Sequence, residues 1–540
     1  MLFNSYEFIF VFLPVTLTGF LLTIYRVGRV AALSWLLIAS LVFYGYASFS
    51  SQLIVIPSIL LDYLIARAYL SIAPTRDRLR GRLIALGITA NVLLLGYFKY
   101  RNFFLDTANI TLGTHFELSR LLLPIGLSFL IFQKIAFLAD VHSGKIKGIS
   151  LLEYLLFACF FPRTLAGPIV HYQEIVPQFK TLGSQVHASN LAVGLCLFSI
   201  GLFKKTVIAD GVAQFVPAVF EPNPDYFVRD IPHTLVTSWI GALCYAFQLY
   251  FDFSGYSDMA LGTARMVGIQ LPMNFNSPYK ASSIIEYWGR WHITLTRFLT
   301  WYIYVPIGRR LARYRTARGK QVLRGRGSSF SAIASLIGIP TMITMLVSGL
   351  WHGAGWRFVI WGLLHGVYLT VNHVWRQRRS MSRRSSVYNR IESAIGQILT
   401  FGSVVVALVF FRANSVSTAL SILAGMAGLN GILPYSVQLF QSVGGTLSWD
   451  LFWRIVPPPA LEWILVLSLA VIVLPNSLEM LLGFHPARDF PPVAQTSQVG
   501  SNAPSRELGP SVPTAIAVAL LFVVGVFAIT RGNGFLYGQF

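Results

Sequence analysis

The sequence predicts an all-α integral membrane protein of roughly 11–13 transmembrane or re-entrant helices, at about 20 residues for each crossing of a ~30 Å hydrocarbon core. Two observations carry that prediction. Of the 540 residues, 55% are hydrophobic and only 12% charged, with 41 phenylalanines and a mean hydropathy of +0.62, which exceeds what the buried core of a soluble domain requires. Uncharged runs also recur at spanning length: 8–25, 30–61, 83–98, 234–251, 327–351, 393–411 and 513–530.

The first run begins inside MLFNSYEFIFVFLPV, which lacks the basic start of a secretory signal and is long enough to span, so it is expected to remain as the first helix. The net charge of +21 raises the question of nucleic acid, and its location answers it. Segments 74–82 (PTRDRLRGR), 309–326 (RRLARYRTARGKQVLRGR) and 376–390 (RQRRSMSRRSSVYNR) hold eighteen basic residues and one aspartate, +17 of the +21. Each flanks apolar runs, the pattern of cytoplasmic loops under the positive-inside rule. Nucleic acid is therefore not an expected partner; membrane lipids with anionic headgroups, or a cofactor's phosphates, suit these loops better.

Cys159, Cys196 and Cys244 lie in apolar surroundings without CxxC spacing, so neither a disulfide framework nor a zinc site is expected, and no other metal ligand set appears. The chain reads as one polytopic unit, 1–540, without a repeat or a phosphate-binding glycine loop. Residues 484–512 are polar and proline-rich, and predict a mobile linker before the last helix and the aromatic tail, 513–540.

A titratable side chain inside the bilayer is costly unless paired or wetted, and marks function by default. Such residues concentrate in the opening stretch, in 126–145, in 161–179, in 246–310, and in SGLWHGAGWRFVIWGLLHG at 348–366. These blocks resemble those of the membrane-bound O-acyltransferases, in the bacterial branch that modifies alginate and teichoic acid. The similarity runs from NSYEFIFVFLPV through YFDFSGYSDMALG, NFNSPYKASSI and RWHITL to GLWHGAGWRFVIWGLLHG. The resemblance implies a helical bundle around a central tunnel in a bacterial inner membrane. It implies transfer of an acyl group from a cytoplasmic thioester, acetyl-CoA or another, to a hydroxyl of an exported or cell-surface polysaccharide. His352 in WHG matches the family's near-invariant histidine and His292 in RWH the second histidine of the branch. The terminal FLYGQF reads in one of two ways: as an interfacial belt in which Phe535, Tyr537 and Phe540 anchor the last helix, or, by its similarity to a C-terminal aromatic motif of the branch, as a tail whose Tyr537 is a transient acyl carrier toward an extracytoplasmic hydrolase-like partner.

The residues support those roles directly. Transfer to a hydroxyl needs a base, and a buried neutral histidine suits that task. The tetrahedral intermediate needs donors, which His292, the indole N–H of Trp351 or Trp356, or amides around Gly353 and Gly355 would supply. Residues 327–375 are long enough for two helices with GLWHGAGW at the turn between them, and broken backbone at membrane depth survives only beside a cavity or within protein. His365, about 220° around a helix from His352, reads as structural. Asp252 and Asp258 read as ion-pair partners of Arg265 or Arg290. Trp351, Trp356 and Trp361 read as packing rather than a sugar platform.

The chain departs from the family pattern at Gly289 in YWGRWH and at Thr300 and Trp301, where relatives carry arginine or Arg-Asp. Donor contacts or a partner surface are therefore expected to differ. Two other readings stand beside the main one: an acyltransferase acting on a lipid or protein, and a transporter. A transporter predicts a two-fold internal repeat, which the sequence does not display.

Overall fold

The structure is a computed structural model that describes residues 1–118, 121–183, 188–221, 233–323, 328–378, 386–432, 458–488, 511–529 and 536. Among the described residues the chain is helical without a strand, apart from one isolated bridge between Pro272 and Arg488. Among the described residues seven helices are long and apolar enough to cross a membrane: Phe8–Arg26, Arg29–Ala47, Phe49–Ser71, Asp77–Leu112, Ala188–Ala213, Phe330–His352 and Val387–Arg412. Val416–Met426, Pro458–Val473 and Val512–Phe527 are shorter apolar helices, and Leu235–Met266 and Trp356–Arg378 are long but carry more polar residues. The uncharged runs of the sequence thus became helices.

By packing the chain divides into two compact units: residues 1–206, 253–274 and 477–540 form the first, and 207–252 with 275–476 the second.

In the first unit, Phe3, Phe8, Phe12, Phe43 and Phe161 cluster with ring centroids 4.9–6.4 Å apart. Polar groups inside this unit are paired, as burial demands. Asp62 accepts from both sides, from Asn91 at 3.0 and 3.1 Å and from the Lys134 ammonium at 3.3 Å. The Ala188–Phe203 helix packs on the Phe253–Met266 stretch through four glycines. A Cβ at Gly201 or Gly262 would come within 2.5 Å of the carbonyl oxygens of Gly255 and Gly194 respectively. Small residues let helix backbones touch in this way, and apolar bulk between them would not. Just beyond that contact, Lys204 reaches Asp258 at 2.7 Å, and the Ser477 hydroxyl donates to the same carboxylate oxygen at 2.7 Å.

That arrangement corrects the expected ion pairs. Asp258 takes Lys204, not an arginine, because the glycine contact brings the end of the Ala188–Phe203 helix alongside it. Arg265 instead donates to the Phe484 carbonyl, and Arg290 to Glu286 at 2.8 Å. Asp252 and Asp258 belong to different units. The first residues of the proline-rich linker are also held: Arg488 donates from its backbone to Leu271 and from its side chain to the Glu174 carbonyl. Residues 489–510 lie outside the described part.

In the second unit, the basic stretch 309–326 begins as helix, Val305–Ala317, rather than as loop. One of its arginines is not solvated. Arg315 is buried and donates to the Gln321 carbonyl, the Ser331 carbonyl and hydroxyl, and the Ser335 hydroxyl, at 2.8–3.1 Å. It ties the end of that helix to the start of the next. Residues 379–385 of the other basic stretch lie outside the described part, between the helices Trp356–Arg378 and Ser386–Arg412.

Candidate active site

Helices Ile339–His352 and Trp356–Arg378 form a hairpin whose break, Gly353–Gly355, falls where the glycines of GLWHGAGW predict it. The two pack at glycine distance, since a Cβ at Gly349 would strike the Phe358 carbonyl and one at Gly362 the Met345 carbonyl. Gly353 lies against the Phe358 ring, in extended backbone that ends the first helix. His352, the last helical residue, is thereby turned into protein rather than lipid. It is buried, with Trp361 and Phe411 edge-on at ring separations of 5.0 and 5.1 Å.

His292 arrives from a different local logic. Ser283 caps the short helix Ile284–Trp288 by accepting from the Glu286 amide, and Glu286 then gathers Ser282 and Arg290 on its carboxylate. The Arg290 guanidinium donates to the Asn276 carbonyl at 3.2 Å, and the Asn276 amide donates back to the Arg290 carbonyl at 2.9 Å. Asn476 spans the Asn276 side chain and the Ser277 hydroxyl, both at 3.0 Å. The clamp ends at His292, whose backbone is left-handed, φ 42° and ψ 52°, at the start of helix Ile293–Leu299. A non-glycine residue held there is strained, and such strain persists where surrounding structure enforces it, often at functional sites. Ser277, at φ 47°, is strained within the same clamp. His292 is fully buried, and burial pushes its imidazole down to about 3, so the ring is neutral at physiological pH.

Trp351 stands between the two histidines, 6.0 Å from the His292 ring and 4.8 Å from that of His352. Two donors that the sequence reading passed over border His352. Ser348, one helical turn earlier, and the indole nitrogen of Trp361 are buried with no hydrogen-bond partner among the described residues. An orphaned donor in a buried site costs about 1–3 kcal/mol, which is reason to expect an occupant. Trp361 and Trp351 are 4% and 3% exposed, whereas Trp356 is 55% exposed and does not line the buried centre. No spacing in the sequence separates these tryptophans; only the helix break does. His365 lies behind Trp361, and its Nδ1 accepts from the Trp288 indole at 3.3 Å, a packing and orienting position. The angular argument for that role assumed one continuous helix, which the break at Gly353–Gly355 removes. Tyr537 lies outside the described residues.

Trp288 joins this centre to a cavity of about 320 Å³, lined among others by Thr296, Thr300, Tyr304, Thr341, Thr344 and His373. Gly289 and Thr300, two of the departures from the family pattern, both line it, while Trp301 is exposed. His373 belongs to the end of Trp356–Arg378 that leads into the basic stretch 376–390. His352 is at the other end of the hairpin.

With this geometry in view, likenesses to known proteins are informative. A family model described as MBOAT, membrane-bound O-acyltransferase family, matches residues 79–319 and 331–409, which include His292 and His352. The chain is 39% identical over 461 residues to a peptidoglycan O-acetyltransferase of Helicobacter pylori, covering 80% of this chain and 81% of that one. It is 35% identical over 425 residues to the probable alginate O-acetylase AlgI of Pseudomonas aeruginosa, covering 78% and 73%. A teichoic acid D-alanyltransferase of Streptococcus thermophilus is 26% identical over 298 residues, 53% of this chain and 68% of that protein.

Proposed function

This chain belongs to the membrane-bound O-acyltransferase family and is a multi-pass membrane acyltransferase, and from that premise we propose that it is an O-acetyltransferase of a bacterial inner membrane. It takes the acetyl group from a thioester, such as acetyl-CoA, and its product is an exported or cell-surface polysaccharide bearing that group. The relatives named for peptidoglycan and alginate support this acceptor class. The observation that carries the chemistry is the buried His352 flanked by Trp361 and Ser348, donors that have no partner among the described residues, with neutral His292 one indole away.

His352 takes the proton of the attacking hydroxyl as its oxygen bonds to the thioester carbonyl carbon. The carbonyl oxygen becomes an oxyanion, which the Trp361 N–H and the Ser348 O–H, or the neutral His292 ring, stabilise. The intermediate collapses with cleavage of the C–S bond, and the thiolate leaves with the proton from His352. The 320 Å³ cavity beside Trp288 suits the donor's arm, since its mostly apolar lining carries a few threonine hydroxyls, at Thr296, Thr300, Thr341 and Thr344, that can meet an amide-bearing chain.

Tyr537 in FLYGQF is the first acceptor in the finer form of this reading: its phenol takes the acetyl group and passes it, as an activated aryl ester, to an extracytoplasmic hydrolase-like partner. Tyr537→Phe is expected to abolish polymer acetylation and to remove hydroxylamine-labile acetyl from the tail; normal polymer acetylation would overturn the relay. The main reading is tested with purified protein and labelled acetyl-CoA. His352→Ala is expected to lose transfer and hydrolysis by about 10²-fold or more, the scale of a removed general base, with unchanged folding by thermal melt. Undiminished turnover would overturn it.

A further inference from the structure

Residues 287–391 contain no aspartate or glutamate, although they hold two of the three basic segments. The cations of this stretch therefore have no acidic neighbour in sequence. Arg309, Arg310, Arg313, Arg318 and Lys320, on and just after helix Val305–Ala317, are exposed, as are Arg376 and Arg378 at the end of Trp356–Arg378. None of them has an acidic partner among the described residues.

An open apolar groove of about 430 Å³ lies at the base of the hairpin. Phe330, Ala334, Gly338 and Met342 line it from one side, and Thr370 and Val374 from the other. The first side belongs to Phe330–His352, a helix of spanning length, which widens into a π-turn at Ala334–Gly338. The small residues at the two ends of that turn put only a methyl and a hydrogen where larger side chains would fill the space. Phe330 is 71% exposed, so the groove opens outward and not into the protein.

The groove and the cations are joined by named contacts. Arg315 donates to Ser331 and Ser335 on the same turn, and Gln321 accepts from the Ser329 amide at 3.2 Å, which sets Lys320 beside the Phe330 end. On the other wall Thr370, Val374 and Arg378 follow at intervals of four, and so lie along one helix face that ends in a guanidinium. The groove is thus apolar along its length and basic at one end.

We propose that it seats one anionic phospholipid, with an acyl chain along Gly338 and Met342 and the phosphate at the basic end, between Lys320 and Arg378. An apolar helix of another protein, or a second copy of this chain, would fill the groove and leave the cations unmatched. An acidic peptide would match the cations and leave the groove unfilled, whereas an anionic amphiphile meets both. Met342 also abuts the second helix of the hairpin, since a Cβ at Gly366 would come within 2.7 Å of its sulfur. The lipid therefore braces the base of the helix pair that carries His352 at its other end. Binding here requires no step of acyl transfer.

The test uses full-length, delipidated protein in detergent. Phosphatidylglycerol, phosphatidylcholine of the same acyl chains, and glycerol phosphate are added in turn; retained lipid is counted by native mass spectrometry and stability is read as a melting temperature. Phosphatidylglycerol is expected to be retained at one equivalent, to bind at least tenfold tighter than phosphatidylcholine and to raise the melting temperature by several degrees, while glycerol phosphate does neither. A basic residue near a lipid surface is worth roughly fivefold in binding, so Lys320→Gln combined with Arg378→Gln is expected to weaken retention by about 25-fold. Gly338→Leu occupies the groove itself, and its Cβ would meet Thr370 at an ordinary 3.7 Å. That variant is expected to lose retention while the lipid-free protein melts no lower than the wild type. Equal binding of the two phospholipids, or undiminished retention in the folded double variant, would overturn the site. A shift by glycerol phosphate alone as large as that by phosphatidylglycerol would overturn the assignment to a lipid. A dimer in the same spectra that Gly338→Leu dissociates would give the groove to a second copy of the chain and overturn it too.

Discussion

His292 combines a left-handed backbone, full burial and a neutral ring, and each has a consequence that can be measured. Its folded-state ionisation lies near 3 and that of an unfolded histidine near 6.5. Between those values the unfolded chain binds a proton that the native chain does not, so this residue's contribution makes stability rise with pH and fall on acidification. His292→Gln is therefore expected to lose less thermal stability than the wild type when detergent-solubilised protein is moved from pH 7.5 to pH 5; an equal loss in both refutes the assignment. Trp361→Phe keeps the ring against His352 and removes the N–H, and is expected to lower turnover by about 10²-fold, the usual effect of losing one oxyanion donor. At this scale the histidines were legible because titratable groups in apolar runs are rare. The donors were not, because every tryptophan in GLWHGAGWRFVIWG carries the same N–H and only burial tells Trp361 from Trp356. Asp258 shows the same limit: its charge was readable and its partner, 54 residues earlier, was not.

Among the helices, the hairpin that carries His352 depends on two glycines that meet carbonyls. Gly362→Val would force the Met345 carbonyl away, and overpacking of this kind costs about 1–3 kcal/mol. A lower melting temperature together with slower turnover is expected, whereas the same change at Gly402, where a Cβ meets nothing within 4 Å, should leave both unchanged. The hairpin itself was legible from length and from the glycines of its turn. The segment between residues 272 and 304 was less so, because its short helices and the π-turn at Thr300–Tyr304 are set by side-chain clamps such as Glu286 with Ser282 and Arg290, which leave no periodic trace. Arg315 goes unmarked within the basic stretch for a similar reason: nothing in RRLARYRTARG distinguishes the one arginine that turns inward.

For the molecule as a whole, orientation follows from charge. A cysteine at position 318 is expected to be shielded from a membrane-impermeant thiol reagent added outside intact cells and to label once they are opened. Labelling from outside would invert the proposed arrangement, in which thioester and acceptor approach from opposite faces. Composition made the helical membrane class plain, since each spanning helix signals itself by its own residues. The two-unit division was invisible because each unit is assembled from distant stretches, 1–206 with 253–274 and 477–540 in one case. The seam of Gly194, Gly201, Gly255 and Gly262 has a bearing on bioenergetics as well as on packing. Beside it sit an ammonium, a carboxylate and a hydroxyl, Lys204, Asp258 and Ser477, the ingredients of a proton wire. With backbone against backbone the seam leaves no room for a file of water beside these groups, and widening it is expected to admit one. Proteoliposomes carrying Gly255→Leu, with a pH-sensitive dye inside, should dissipate an imposed pH gradient faster than those carrying the wild type; equal rates would show that the barrier lies elsewhere.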